Sequence, residues 1–211
     1  MDVKYFDGIA PKIIDKKIEK FCRKINYHKR PYYVDVQPIN GAKFNECFNN
    51  VKQFIELNSG KCIHGWIIWL HPHCMLEAEF HAICKTSDNQ FIDVTPHKNN
   101  ESKILFLEDD KLIYEGFGIN NIRENISKSK LIDDCIKAWN EVYKMLYTGK
   151  NKNKYGEIVF AETEAQKLAQ LNNFIQDNLY KFYANLKLKP NDECICGSGI
   201  KFIDCCKYKF K

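Results

Sequence analysis

The stretch LEAEFHAICKTSDNQFIDVTP, residues 76–96, carries the alternation of two strands. Leu76, Ala78, Phe80, Ala82 and Cys84 fall on one face, with Glu77, Glu79, His81 and Ile83 on the other, the period of two that a strand imposes. A polar turn follows, and Phe91 to Thr95 alternates again. A three-residue loop at Thr86-Ser87-Asp88 would fold these strands into a hairpin with His81 directly opposite Asp93, their Cβ atoms about 5 Å apart on a shared face. A loop one residue longer or shorter would turn Asp93 to the other face, because side chains repeat every second residue.

On the N-terminal side, Cys62 to Leu70 is rich in Ile and Trp and reads as another strand. It is preceded by a helical pattern over Asn45 to Leu57, with Phe44, Phe48, Val51 and Ile55 in one stripe and Asn58-Ser59-Gly60 as the stop. Earlier still, PYYVDVQP (Pro31 to Pro38) predicts a short strand bounded by prolines, at a sheet edge. Pro11 opens an amphipathic helix through Ile25. On the C-terminal side, Ile104 to Leu107 is a short apolar run ending in the acidic turn Glu108-Asp109-Asp110, with Lys111 to Tyr114 as its pairing partner. Helical spacing then dominates: Leu131, Ile132, Cys135, Ile136, Trp139, Val142, Tyr143 and Leu146 form one stripe. A linker over residues 148–156 leads to a second stripe, Leu168, Leu171, Phe174, Ile175, Leu179 and Tyr183. The order is an α+β body over residues 1–125, a helical segment over 126–188 and a cysteine-rich tail over 189–211.

Apolar residues make up 45% of the 211 and aromatics 13%, enough for a real core, while 28% are charged. No apolar run of eighteen residues occurs, and Asp2, Lys4 and Asp7 stand where a signal peptide would be apolar, so a cytoplasmic protein without a membrane span is expected. The net charge of +5 argues only weakly for nucleic acid, although six lysines fall between Lys187 and Lys211. Ten cysteines in such a chain point to metal binding and thiol chemistry rather than to a disulfide scaffold.

Four of them, Cys194, Cys196, Cys205 and Cys206, lie within a short compass and offer four soft ligands to one Zn2+. Two disulfides or a loop of reactive thiols are the alternatives. A segment this short has little core of its own, so bound metal would supply its folding energy. Gly197-Ser198-Gly199 allows the backbone to curl around the sulfurs. Residues 191–206, NDECICGSGIKFIDCC, resemble the SEC-C motif, the zinc tail of the SecA motor and of many unrelated bacterial proteins. That resemblance implies a contact with a protein or a ribosome.

Thiol catalysis needs a cysteine kept as thiolate, an imidazole that exchanges its proton and a polar group that orients the ring. Cys47 falls in the first turn of the helix that begins near Asn45, where the macrodipole favours a thiolate. The order of Cys47, His81 and Asp93, with a helix followed by strands and with FIDVTP over residues 91–96, resembles the core of transglutaminase-like enzymes and arylamine N-acetyltransferases, both of the papain-like group. Over residues 44–96 it implies Cys47 as nucleophile, His81 as base and Asp93 as orienting group. A rival metal site would draw on His64, His71, His73 and Cys74, with Pro72 holding the chain extended. Trp66 and Trp69 are expected in the core or in pocket walls, and Glu77 and Glu79 on the His81 face.

The sequence thus predicts an α+β papain-like (transglutaminase-like) core of helix plus antiparallel sheet, a helical pair and a small zinc tail. The function expected is a Cys-His-Asp hydrolase or acyltransferase acting on an amide or thioester. The alternative is a non-catalytic zinc adaptor that contacts a protein, a ribosome or RNA.

Overall fold

The computed structural model describes residues 8–152, 158–192, 194–198 and 200–207. The second half of the expected linker (153–156), Glu157, Glu193, Gly199 and the final lysines at 209 and 211 lie outside the described residues. The described residues form two compact units, one of residues 9–70 and 76–115, the other of Gly8, 71–75 and those from 116 onward. Among the described residues no helix is long and apolar enough to cross a membrane.

The first unit begins with α1 (Lys16–Ile25). It starts five residues after Pro11 because Asp15 caps it: Oδ1 accepts from the backbone N–H groups of Lys17 and Ile18, each at 2.9 Å. Ile13 precedes the helix and is exposed, so it does not belong to the stripe. Strand β1 (Tyr32–Val36), helix α2 (Cys47–Asn58), β2 (Lys61–His71), β3 (Met75–Lys85), β4 (Phe91–Asp93) and β5 (Lys103–Glu108) complete the unit.

The strands pair in the order β2-β5-β1-β4-β3, and β2 also pairs with β3, so the ladder closes on itself. This leaves β1 between β5 and β4 rather than at an edge. Its prolines flank the strand instead of lying in it, so no ladder donor is missing. The expected all-antiparallel sheet is also corrected, since β1 runs parallel to β4, with Asp35 beside Ile92 and Val36 beside Asp93. A parallel pair needs a long crossover, and the connection from β1 to β4 contains α2 and two strands. Residues 111–114 form no strand: Asp109 turns the chain there, accepting from the Lys111 N–H, while its carbonyl accepts from Leu112.

Ring closure buries both faces of the β3–β4 hairpin. Val34, Ile67, Trp69, Ile83, Ile104 and Phe106 pack together on one side. On the other, Cys47 and Val51 of α2 pack with Ala82, Cys84, Ile92 and Val94. Where β2 meets β5, a Cβ at Gly65 would stand 2.3 Å from the Leu107 carbonyl oxygen, so only glycine fits.

The second unit holds β6 (Ile122–Asn125), which has no counterpart in the sequence reading, α3 (Lys130–Tyr147) and α4 (Glu162–Ala184). It also takes in residues 71–75, where the chain turns between β2 and β3. Pro72 does not extend the chain there; it occupies the second position of a turn whose third residue, His73, has φ 61° and whose Cys74 N–H donates to the His71 carbonyl at 2.9 Å. Ile132, Cys135 and Ala138 of α3 pack against Ile175, Leu179, Phe182 and Tyr183 of α4. Phe174, placed in the stripe by spacing, is exposed, and Asn178 and Phe182 are buried instead.

Candidate functional site

The hairpin register decides which side chains meet. The β3–β4 loop has five residues, 86–90, not three, closed by the Thr86 N–H donating to the Gln90 carbonyl at 2.9 Å, with Asn89 at φ 65°. Cys84 therefore faces Ile92 and Lys85 faces Phe91. Carried one residue further, this register sets Asp93 opposite Ile83 and leaves His81 on the diagonal. A slip of two residues preserves the face, and the imidazole is long enough to span the diagonal. Nε2 of His81 stands 3.1 Å from Oδ2 of Asp93.

A second imidazole reaches the same oxygen, with Nε2 of His97 2.6 Å from Asp93 Oδ2. Only His97 is aligned for a hydrogen bond; the approach of His81 is close but oblique, and its buried Nε2 makes no hydrogen bond. The other carboxylate oxygen, Oδ1, accepts from the Thr95 N–H at 2.9 Å. Asp93 is fully buried, and its main chain is fixed by the Gln37 N–H donating to its carbonyl at 2.7 Å. The rings of His81 and His97 are 5.7 Å apart between centroids, and Trp69 covers His97 at 5.5 Å.

Cys47 is the first residue of α2. It is near enough to His81 to help raise the pKa of that imidazole, first through charge and then through hydrogen bonding. Glu46, the N-cap residue, makes no side-chain capping bond, its carboxylate being engaged by Asn49, and no acid follows it in the first turn. Asn50 secures the arrangement. Buried one turn into α2, it donates to the Thr95 hydroxyl at 3.2 Å and to the Lys43 carbonyl at 2.8 Å, and accepts from the Lys43 N–H at 3.1 Å. It thereby joins the helix start to the strand end that carries Asp93. Cys47 is also 6% exposed and lies among Val51, Ala82, Ile92 and Val94.

Burial by itself would make His81 harder to protonate, but the charge of Asp93, then that of Cys47, and the contacts with both outweigh it; the imidazole pKa stands well above the ordinary histidine value. For Asp93, burial raises the pKa and the neighbouring imidazoles, His81 first and His97 second, overcome it, holding the carboxyl below the usual carboxylate range.

The rival set of His64, His71, His73 and Cys74 does not gather among the described residues, where two groups of potential ligands converge. One is His81, Asp93 and His97; the other is Cys194, Cys196, Cys205 and Cys206. His64 instead places Nδ1 3.1 Å from the Leu112 carbonyl oxygen. Trp66 and Trp69 are buried, their indole N–H groups donating to Asp109 and Glu79. His97 and Asn50 escaped the sequence reading. His97 follows Pro96, outside any periodic segment, and Asn50 sits in a helix where only apolar spacing was informative.

In the tail, the sulfurs of Cys196 and Cys205 are 3.4 Å apart and those of Cys205 and Cys206 3.7 Å. Disulfide sulfurs stand about 2.05 Å apart, and all ten cysteines are free. Four thiolates about 2.3 Å from a tetrahedral zinc stand about 3.8 Å from one another, so the residues fit that ion. Gly197, at φ 72°, lets the chain turn back so that its N–H reaches the Cys194 carbonyl at 3.0 Å. The Ile200 carbonyl accepts from the Cys194 N–H at 3.0 Å. Ser198 Oγ stands 3.3 Å from Cys196 Sγ. Burial opposes the Cys196 thiolate, but the Ser198 side chain and backbone, then Cys205 and Cys194, bring its pKa down to about 7. Burial pushes the Cys194 and Cys206 thiols up.

The tail is not an isolated loop. Cys194, Ile195 and Cys206 are buried in the same apolar cluster as Ile132, Cys135, Ile175 and Leu179, and Leu186, Leu188 and Phe202 pack against it.

Comparison with known proteins agrees with this geometry at one place: residues 191–207 match the family model of the SEC-C motif. No curated protein and no solved structure matches the chain. The chain therefore carries a SEC-C zinc-binding motif whose four cysteines converge at its C-terminal end.

Proposed function

We propose that the body is a cysteine-dependent acyl hydrolase or acyltransferase and that the zinc tail anchors the unit that would contact a protein or ribosomal partner. The observation that carries this reading is the meeting of Cys47 with His81, whose ring is turned by its Nε2 edge toward the buried Asp93. In the reaction, Cys47 Sγ attacks the carbonyl carbon of an amide or thioester and its proton goes to His81. The tetrahedral intermediate collapses, the amine or thiol leaves with the proton from His81, and a thioester on Cys47 remains. Water or a second nucleophile, deprotonated by His81, then takes the acyl group and restores the thiol. Asp93 orients the ring and favours its protonated form. Ten free thiols suit a reducing, cytoplasmic setting.

The packing of Cys47 among Val51, Ala82, Ile92 and Val94 favours the other reading, a zinc adaptor that keeps the arrangement without the reaction. Iodoacetamide labelling followed by mass spectrometry separates the two. Cys62 is exposed, but burial of its sulfur, with the charges of Cys47 and Cys84, raises its pKa to about 11. At pH 7 about one Cys62 in ten thousand is thiolate. A catalytic Cys47 labels faster than Cys62 despite its lower exposure, and His81→Ala slows it. Faster labelling of Cys62, unaffected by His81→Ala, would establish the adaptor.

A further inference from the structure

The thiol mechanism uses one imidazole, yet two converge on Asp93. We infer that His81, Asp93 and His97 form a second divalent-metal site, in the body of the protein, that takes Zn2+ through two imidazole nitrogens and one carboxylate oxygen. Three observations carry it. The three ligand atoms lie within 4.8 Å of one another. The same ring nitrogen, Nε2, is presented by both histidines, 2.6 and 3.1 Å from Oδ2. Ligands at zinc distances in a tetrahedron stand about 3.3 Å apart, so modest spreading of the three admits the ion. Finally, His81 Nε2 is buried and aimed at this oxygen without an aligned hydrogen bond, so a metal that displaces its proton would meet this nitrogen already pointed at the site. A ring held there only to bond Asp93 would be expected to align with it, as His97 does.

The donor set selects the ion. Two imidazoles and a carboxylate suit zinc, and three protein ligands leave one position open. The Cys47 sulfur, which lies against His81, or water can fill it. Thr95 holds Oδ1 through its N–H, so Oδ2, the oxygen that both imidazoles approach, is the one that would ligate. Binding requires both Nε2 atoms unprotonated: the protons of His81 Nε2 and of His97 Nε2, which donates to Asp93 Oδ2 in the metal-free arrangement, are released to solvent as the ion enters. This site differs from the tail in ligand chemistry and in compact unit. Its consequence for activity rests on the thiol reading above: an ion on His81 removes the base, so zinc would hold Cys47 inactive until the metal is withdrawn.

The test uses the full chain. Wild-type protein equilibrated with excess ZnCl2 and desalted should contain two zinc ions per chain, and His97→Gln should contain one. Glutamine keeps a hydrogen-bond donor for Asp93, and unchanged circular dichroism verifies that the variant folds. One ion in the wild type, or two in folded His97→Gln, would overturn the inference. A second arm needs no variant: iodoacetamide labelling of Cys47 should slow with zinc and recover with EDTA. If Cys47 proves unreactive with and without zinc, the thiol reading fails while the two-to-one count still decides the metal site. If Cys47 is reactive and zinc leaves its rate unchanged, the inhibitory consequence is overturned and the thiol reading stands, while the two-to-one count again decides the metal site.

Discussion

Replacing Asp93 by Asn removes a buried charge while keeping nearly the same shape. The Thr95 N–H retains an oxygen acceptor, so the change falls on the charge shared with His81 and His97. At 3.1 Å and an effective dielectric constant of 20, a unit pair attracts by about 5 kcal/mol. Part of this is offset by the cost of burying both ions, and removing one partner of a buried pair typically costs about 3–5 kcal/mol. Because His81 can shed its proton once Asp93 is neutral, the lower figure applies, about 3 kcal/mol. With a urea slope on the order of 2 kcal/mol per molar, the unfolding midpoint should drop by about 1.5 M. The pH dependence follows from the directions of the two shifts. His81 has a raised pKa, so its contribution is complete below the unfolded value of about 6.5 and fades as pH rises through the folded one. Asp93 has a lowered pKa, so its contribution is complete above about 3.9 and fades as pH falls toward the folded value. The gap between wild type and Asp93→Asn should therefore be widest between about pH 4.5 and 6.5 and narrow on acidification. Urea titrations followed by tryptophan fluorescence at several pH values measure it. Equal midpoints at pH 6, or a gap that stays constant down to pH 3, would refute the ion-pair reasoning.

Two further outcomes follow from the packing. Asn50→Ala strands the Lys43 amide and carbonyl and the Thr95 hydroxyl, and should cost roughly 1–3 kcal/mol in urea unfolding while slowing Cys47 labelling; unchanged labelling would remove Asn50 from the site. Stripping zinc from the full chain with a strong chelator should reduce amide-exchange protection around Ile132, Cys135, Ile175 and Leu179, which share a core with Cys194 and Cys206; protection confined to its original level there would show that the helices stand without the metal.

The parts of the fold written in local chemistry were legible. The Asn58-Ser59-Gly60 run ends α2 where expected, with Ser59 at φ 62° and its N–H on the Ile55 carbonyl. The four tail cysteines fall within thirteen residues and meet in space. What depended on long-range pairing was not legible. Nothing in PYYVDVQP reveals that β1 is flanked by β5 and β4, because prolines bounding a strand look the same at an edge and in the middle. The hairpin loop was two residues longer than supposed, and only the parity of that error kept Asp93 on the His81 face. His97 carried no signal at all, since a residue after Val-Thr-Pro has no period to betray the direction of its side chain.

Ile195, 2% exposed between the first two cysteines, ties the tail to α3 and α4. Cys194, Ile195 and Cys206 share one apolar cluster with residues of both helices, and two of the three are among the thiols that would grip an ion. Metal binding that orders the tail would then also cover this part of the helical core, so zinc supply would influence how well this half of the chain is closed, whatever the other unit does.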